Sequence, residues 1–222
     1  MSNNNLSQTI EGIGNSLTLY TESLDQLRSY LNKLEQLDKF YKTIDEDFNI
    51  NDISGFKSQL DFTGFLTISI LDLLVISKNI LASTYVWERV HQLKLGYLVI
   101  YGAIKTYHNH TEINALAKSE TKSSDLYKLI SIELNFFKKE YDYPNIFKEI
   151  RNATIAHINA DFKIYYDTVK KIDGNKYFEA ILSFLQILYK MQELANYLAK
   201  ALTLQKNGEP FDIDKLMKEL SE

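Results

Sequence analysis

The sequence has no cysteine, only 2 prolines and 8 glycines in 222 residues. Without cysteine there is no disulfide framework, no thiolate nucleophile and no cysteine-ligated zinc. An all-β sandwich or barrel of this length needs a turn roughly every 8–12 residues, built largely from Gly and Pro. Two prolines cannot punctuate that many strands, so a helical fold is expected. Long apolar runs are also missing. The most apolar segment, Phe62 to Ile76, contains Asp72 and falls short of the ~20 residues a spanning helix needs. Leu95 to Ile104 is shorter still. The start, MSNNNLSQ, lacks a basic stretch and an apolar stretch, as a secretory signal would require. These features lead us to expect a cytoplasmic protein with no membrane partner.

What is present fits a folded domain. Hydrophobic residues make up 45% and charged residues 24%, which excludes a disordered chain. The net charge is −4, but it is unevenly placed. Residues 1–61 hold 5 Lys/Arg against 10 Asp/Glu, and residues 62–222 hold 20 against 19. The acidic excess therefore belongs to the N-terminal region, and the remainder is free to carry a local basic site.

Apolar residues recur at Leu6, Ile10, Ile13, Leu17, Tyr20, Leu24, Leu27, Leu31 and Leu34, in alternating steps of four and three. This is the a/d seam of a heptad repeat. One extra three-residue step leads to Leu37, after which Tyr41, Ile44 and Phe48 continue the pattern. Residues 1–50 thus read as a long amphipathic helix, whose seam packs either on its own domain or on another chain. The stretch DEDFNINDISG at 45–55 reads as a boundary. A helical bundle over 56–205 follows, with a tail over 206–222 that holds a short helix near Asp212 to Leu220. Within the bundle, helices are expected at about 56–83 and 85–109, the latter burying Trp87, Val90, Leu93, Tyr97, Ile100, Tyr101, Ile104 and Tyr107. Ser123 or Ser124 would cap the next helix. Pro144 suits the first turn of another. Residues 159–175 read as a linker with a turn at Asp173-Gly174-Asn175, and a last long helix spans about 176–204.

No phosphate-binding glycine loop, G-x-S-x-G or H-E-x-x-H is present. If the chain catalyses anything, arginine and histidine must do it. There are three arginines and four histidines. One of each falls in Arg151-Asn152-Ala153-Thr154-Ile155-Ala156-His157. This stretch resembles the signature of HEPN domains, an Arg followed by a polar residue and then, after a short spacing, a His. The resemblance covers the bundle and leaves the heptad helix outside. It implies an all-α antiparallel helical bundle and a homodimeric, metal-independent endoribonuclease without cofactor. It also implies a place in toxin–antitoxin or antiphage defence systems, with RNA as substrate and an antitoxin or other protein as partner.

The chemistry of the residues agrees with that reading. RNA cleavage by its own 2′-OH needs a base to take that proton and an acid to protonate the leaving 5′-oxygen. Histidine serves either role near neutral pH. One chain offers one suitably placed His, so a twofold dimer is needed to supply both, with two arginines for the charge on the phosphorus. Asn152 would orient the His or hold a phosphate oxygen. On a continuous helix Arg151 and His157 lie roughly 120° apart and would flank a cleft. The alternative is a non-catalytic helical binding or scaffold protein that holds RNA or a protein partner.

Other groups carry weaker readings. His108, His110 and Glu112 suggest a metal site, but an H-x-H at a helix end splays its imidazoles, and we expect no metal there. Asp72 calls for a partner within the bundle, with His91, Lys94 or Arg151 in reach. Glu88, Arg89 and Lys94 read as a solvated face of the third helix. The Asn-x-Thr triplets at Asn109 and Asn152 read as accidental matches to a glycosylation site.

Overall fold

The computed structural model describes residues 3–44, 51–119, 121–150, 152, 162–170, 172 and 174–204. All regular structure among them is helical: α1 (Asn3–Ile44), α2 (Asn51–Ala82), α3 (Val86–Asn109), α4 (Thr111–Ser119), α5 (Thr121–Glu140), a π-helical turn (Tyr143–Phe147), α6 (Lys148–Ile150), α7 (Phe162–Lys170) and α8 (Gly174–Leu204). The protein is an all-α helical bundle. The expected terminal helix at 212–220 lies outside the described residues.

With 42 residues, α1 is roughly 63 Å long. Its heptad seam turns toward its own bundle. Every seam position from Leu6 to Leu31 is half-buried, and Leu34 and Leu37, on either side of the extra three-residue step, are fully buried. The helix lies along α2. Lys57, near the start of α2, faces Glu35 at 4.0 Å, and the Tyr20 hydroxyl donates to Gln192 Oε1 of α8 at 3.0 Å. Local sequence pattern sets such a stripe, but burial against a neighbour supplies most of its stability.

The core is built by α2, α3, α5 and α8, with α8 packed on the other three. Phe62, Leu66, Ile70 and Leu73 of α2 meet Leu93, Tyr97, Ile100 and Ile104 of α3 and Ile181, Phe184, Leu188 and Leu194 of α8 in one buried cluster. Burying each such side chain is worth about 1.5–3 kcal/mol. Gln59 adds a polar tie by donating from Nε2 to the Ala195 carbonyl, so α2 is fixed in register on α8. The segment Gly55–Ala82 has the length and composition of a membrane-spanning helix, and half of its most apolar window is packed inside the bundle.

Several expectations need correction. Helix α2 begins at Asn51, so the later part of the boundary at 45–55 is helical and carries Gly55 within it. After Asn109 the chain forms a further helix, α4, that the helical pattern did not mark, anchored by buried Ile113 and Ala117. Neither Ser123 nor Ser124 caps α5, which starts at Thr121. Ser123 is instead buried, and its hydroxyl closes the end of α4 by donating to the Ala117 carbonyl at 3.0 Å. Part of the expected linker is helix α7. Trp87, expected in the core, is 56% exposed, because the first fully buried apolar residue of α3 is Leu93, nearly two turns later. In the last three cases tertiary anchors override a local reading.

Gly96 marks the closest approach of α3 to α8. A Cβ placed there would lie 2.5 Å from Ile181 Cδ1 and 3.0 Å from its Cγ1, with Ile76 Cγ2 at 3.5 Å. Ile181 is wholly buried, so its side chain would have to shift within the packed core. Gly96→Val therefore overpacks this crossing and should cost about 1–3 kcal/mol; an unchanged midpoint in urea denaturation would contradict the close approach.

Candidate functional site

The chain enters the RNATIAH segment through a tightly constrained corner. Helix α5 ends at Glu140, and Asp142 adopts a left-handed φ of 47°. The short polar side chain of Asp is one of the few that tolerates this region. Its carboxylate accepts from Asn145 Nδ2 at 2.8 Å, and its carbonyl accepts from the Asn145 and Ile146 amides at 3.1 and 3.0 Å. Pro144 then sits early in the π-helical turn, where its missing N–H removes no needed bond.

Aromatic packing holds this corner to the core. Phe147 stacks on Tyr97 with centroids 4.0 Å apart, and Tyr97 stacks on Tyr177 of α8 at 4.5 Å. Tyr143 and Phe137 close on Phe147 at 5.0 and 6.2 Å. Phe147 and Ile150 are buried, so the residue before Arg151 is anchored. Asn152 is solvent-exposed. Arg151 and His157 lie outside the described residues.

The two flanks of the segment meet. Helix α6 packs on α7, and Thr168 Oγ1, itself buried, donates to Glu149 Oε1 at 3.5 Å. Helix α7 is tied in turn to α3: Lys94 Nζ donates to the Tyr165 hydroxyl at 3.0 Å and lies 5.3 Å from that ring's centroid. Lys94 is buried, contrary to the solvated face expected for it. Its neighbours in that expectation, Glu88 and Arg89, are exposed as expected, and each is held by a local backbone bond. Glu88 accepts from the Tyr85 amide at 3.4 Å, and the Arg89 guanidinium donates to the Ser83 carbonyl at 3.1 Å and 3.3 Å.

Of the partners expected for Asp72, neither His91 nor Lys94 bonds to it, and Arg151 lies outside the described residues. Asp72 is exposed on α2 between Ile68 and Val75, with no hydrogen bond or ion pair among the described residues. Partial desolvation raises its carboxyl above the usual range. The two histidines of the H-x-H diverge. His110 is packed against Phe62 and Phe65, with centroids 5.1 and 5.6 Å away. Glu112 accepts from Ser58 Oγ at 2.7 Å. His108 lies 3.0 Å from Lys138 Nζ. A lysine ammonium has only donors, so His108 Nε2 is the acceptor and the imidazole is neutral.

A second group of residues, which the sequence did not single out, surrounds that pair. Tyr101, Ile104, Lys105, His108 and Asn109 of α3, with Lys138 of α5 and Tyr143, line a pocket of about 380 Å³. The spacing of 101, 104, 105 and 108 puts four of them on one helix face, which is a legible signal. Lys138 and Tyr143 join them only through folding. No protein-family model, curated protein or solved structure matches the chain.

Two outcomes follow from these contacts. Phe147→Ala should destabilise the protein by about 3–5 kcal/mol, read from denaturant midpoints, because it empties the centre of the aromatic stack. Burial and then Lys138 hold His108 below the ordinary 6.5, and burial lowers His110 against a smaller opposing pull from Asp61. The unfolded chain therefore binds more protons than the native one just below pH 6.5, and stability falls as pH drops from there through the lowered values. A melting temperature that stays flat between pH 7 and 5 in the wild type, or the same slope in His108→Gln/His110→Gln, would contradict this assignment.

Proposed function

We propose that this protein is a HEPN-like endoribonuclease, a cytoplasmic homodimer that cleaves RNA without metal in a toxin or antiphage role. The observation that carries the reading is the Arg151-Asn152-x4-His157 spacing on an all-α bundle. It is supported by the anchoring of Ile150 just before the motif, the exposure of Asn152 to solvent and the packing of α6, which ends at Ile150, on α7. In this mechanism one copy of His157 takes the proton of the 2′-OH as that oxygen attacks phosphorus. The second copy gives a proton to the 5′-oxygen as the P–O5′ bond breaks. The products are a 2′,3′-cyclic phosphate and a free 5′-hydroxyl, with no net change in protons. The two copies of Arg151 neutralise charge on the phosphoryl oxygens, and Asn152 orients the imidazole or a phosphate oxygen.

The test is cleavage of structured and single-stranded RNAs in EDTA, with end-group analysis and a parallel measurement of mass in solution. His157→Ala removes acid and base together and should lower the rate at least about 100-fold. Arg151→Ala should lower it about 100-fold or more, and both variants should keep the wild-type melting temperature. Cleavage that EDTA abolishes, or a fully active monomer, overturns the mechanism. A dimer that binds RNA and leaves it intact identifies the non-catalytic binding module instead.

A further inference from the structure

The pocket at the C-terminal ends of α3 and α5 has a composition that the cleavage reading does not use. Two lysines line it, Lys105 and Lys138, and no carboxylate does among the described residues. Lys105 is exposed and has no ion-pair or hydrogen-bond partner among those residues. Among the described residues, Lys138 meets only the neutral His108 and the face of the Tyr143 ring, 5.8 Å from its centroid. The two positive charges therefore go uncompensated inside one concavity. The helix C-termini nearby carry partial negative charge, which is smaller than the two full charges of the lysines.

The rest of the lining is aromatic and apolar. Tyr101 and Tyr143 stack on each other at 5.8 Å with ring planes 21° apart, and both are half-buried. Ile104 forms a buried floor. Tyr143 keeps its proton, since burial and then Tyr101 push it up to about 12, so it adds no negative charge. A volume of about 380 Å³ is at the small end of the ~300–1,000 Å³ typical of ligand pockets. It exceeds what a bare oxyanion fills and is too small for a folded partner segment. Cations beside a tyrosine pair suit a phosphate joined to a flat ring.

We propose that this pocket is a nucleotide-binding site. Lys105 and Lys138 take the phosphate, His108 joins them as a donor once the anion lets it accept a proton, and Tyr101 and Tyr143 take the base. The site uses residues 101–143 and is separate in sequence from the 151–157 motif, so it does not depend on RNA cleavage.

The test is calorimetric titration of the full chain with AMP, with inorganic phosphate and with adenosine. AMP should bind at least about tenfold more tightly than phosphate or adenosine, since each supplies half of the contacts. Lys105→Ala and Lys138→Ala should each weaken AMP about tenfold or more, the loss expected for a charge-assisted hydrogen bond. Tyr143→Leu should weaken AMP and leave phosphate unchanged. The imidazole resonance of His108 should titrate at higher pH with AMP bound, against the groups that face it: Lys105, Lys138 and Tyr143. If Lys138→Ala fails to fold, the exposed Lys105 still decides the question. No binding of AMP at millimolar concentration, equal affinity for AMP and phosphate, or wild-type binding by Lys105→Ala overturns the site. His157→Ala should bind AMP as the wild type does, so loss of cleavage and loss of nucleotide binding are read separately.

Discussion

Tyr97 is gripped between Phe147 and Tyr177, and most of the molecule's order depends on that stack. It joins three parts of the chain distant in sequence: the middle of α3, the corner after α5 and the first turn of α8. One residue earlier, Gly96 brings α3 close to Ile181, so the ring reaches both partners at stacking distance. Offset aromatic pairs add about 0.5–1.5 kcal/mol each beyond the area they bury. That gain anchors Phe147 and with it the corner that leads to buried Ile150.

Around this centre the polar groups act as fasteners. Gln59 holds α2 to α8, Ser123 closes α4 and Lys94 ties α3 to α7. Each satisfies a group that would be costly to bury alone. The result is a firmly tied helical core that carries the pocket at the ends of α3 and α5. The pocket's pieces come from the same corner: Tyr143 packs on Phe147 through one edge and lines the pocket with another. The aromatic core and the lysine-lined cavity are thus one construction.

The long first helix shows how far a sequence pattern reaches. Its heptad seam was legible residue by residue, and the half-buried and buried positions from Leu6 to Leu37 follow it. What the seam packs on was not legible, because a stripe specifies a geometry and any matching apolar surface satisfies it. The answer came from the packing of α1 along α2, from Ile13 and Leu17 against the core, and from the bond of Tyr20 to Gln192 of α8. Helix α7 was missed for the converse reason. Nine residues cannot hold a helix by propensity alone, and the contacts of Tyr165 and Thr168 that stabilise it lie in other segments.

By itself the sequence determined the all-α class, the long helices and their apolar faces, because these follow from residue type and a 3.6-residue period. It also named Arg151, Asn152 and His157 as the group to test, through their resemblance to a known family signature. Only the tertiary structure decided that Trp87 faces solvent while Lys94 is buried, that Asp72 has no partner among the described residues, and that His108 and His110 point to different neighbours. It also decided that Lys138 and Tyr143 meet Lys105 and His108 around one cavity. Such pairings join residues some 30 or more positions apart, and a local period carries no information about which distant face a side chain will meet.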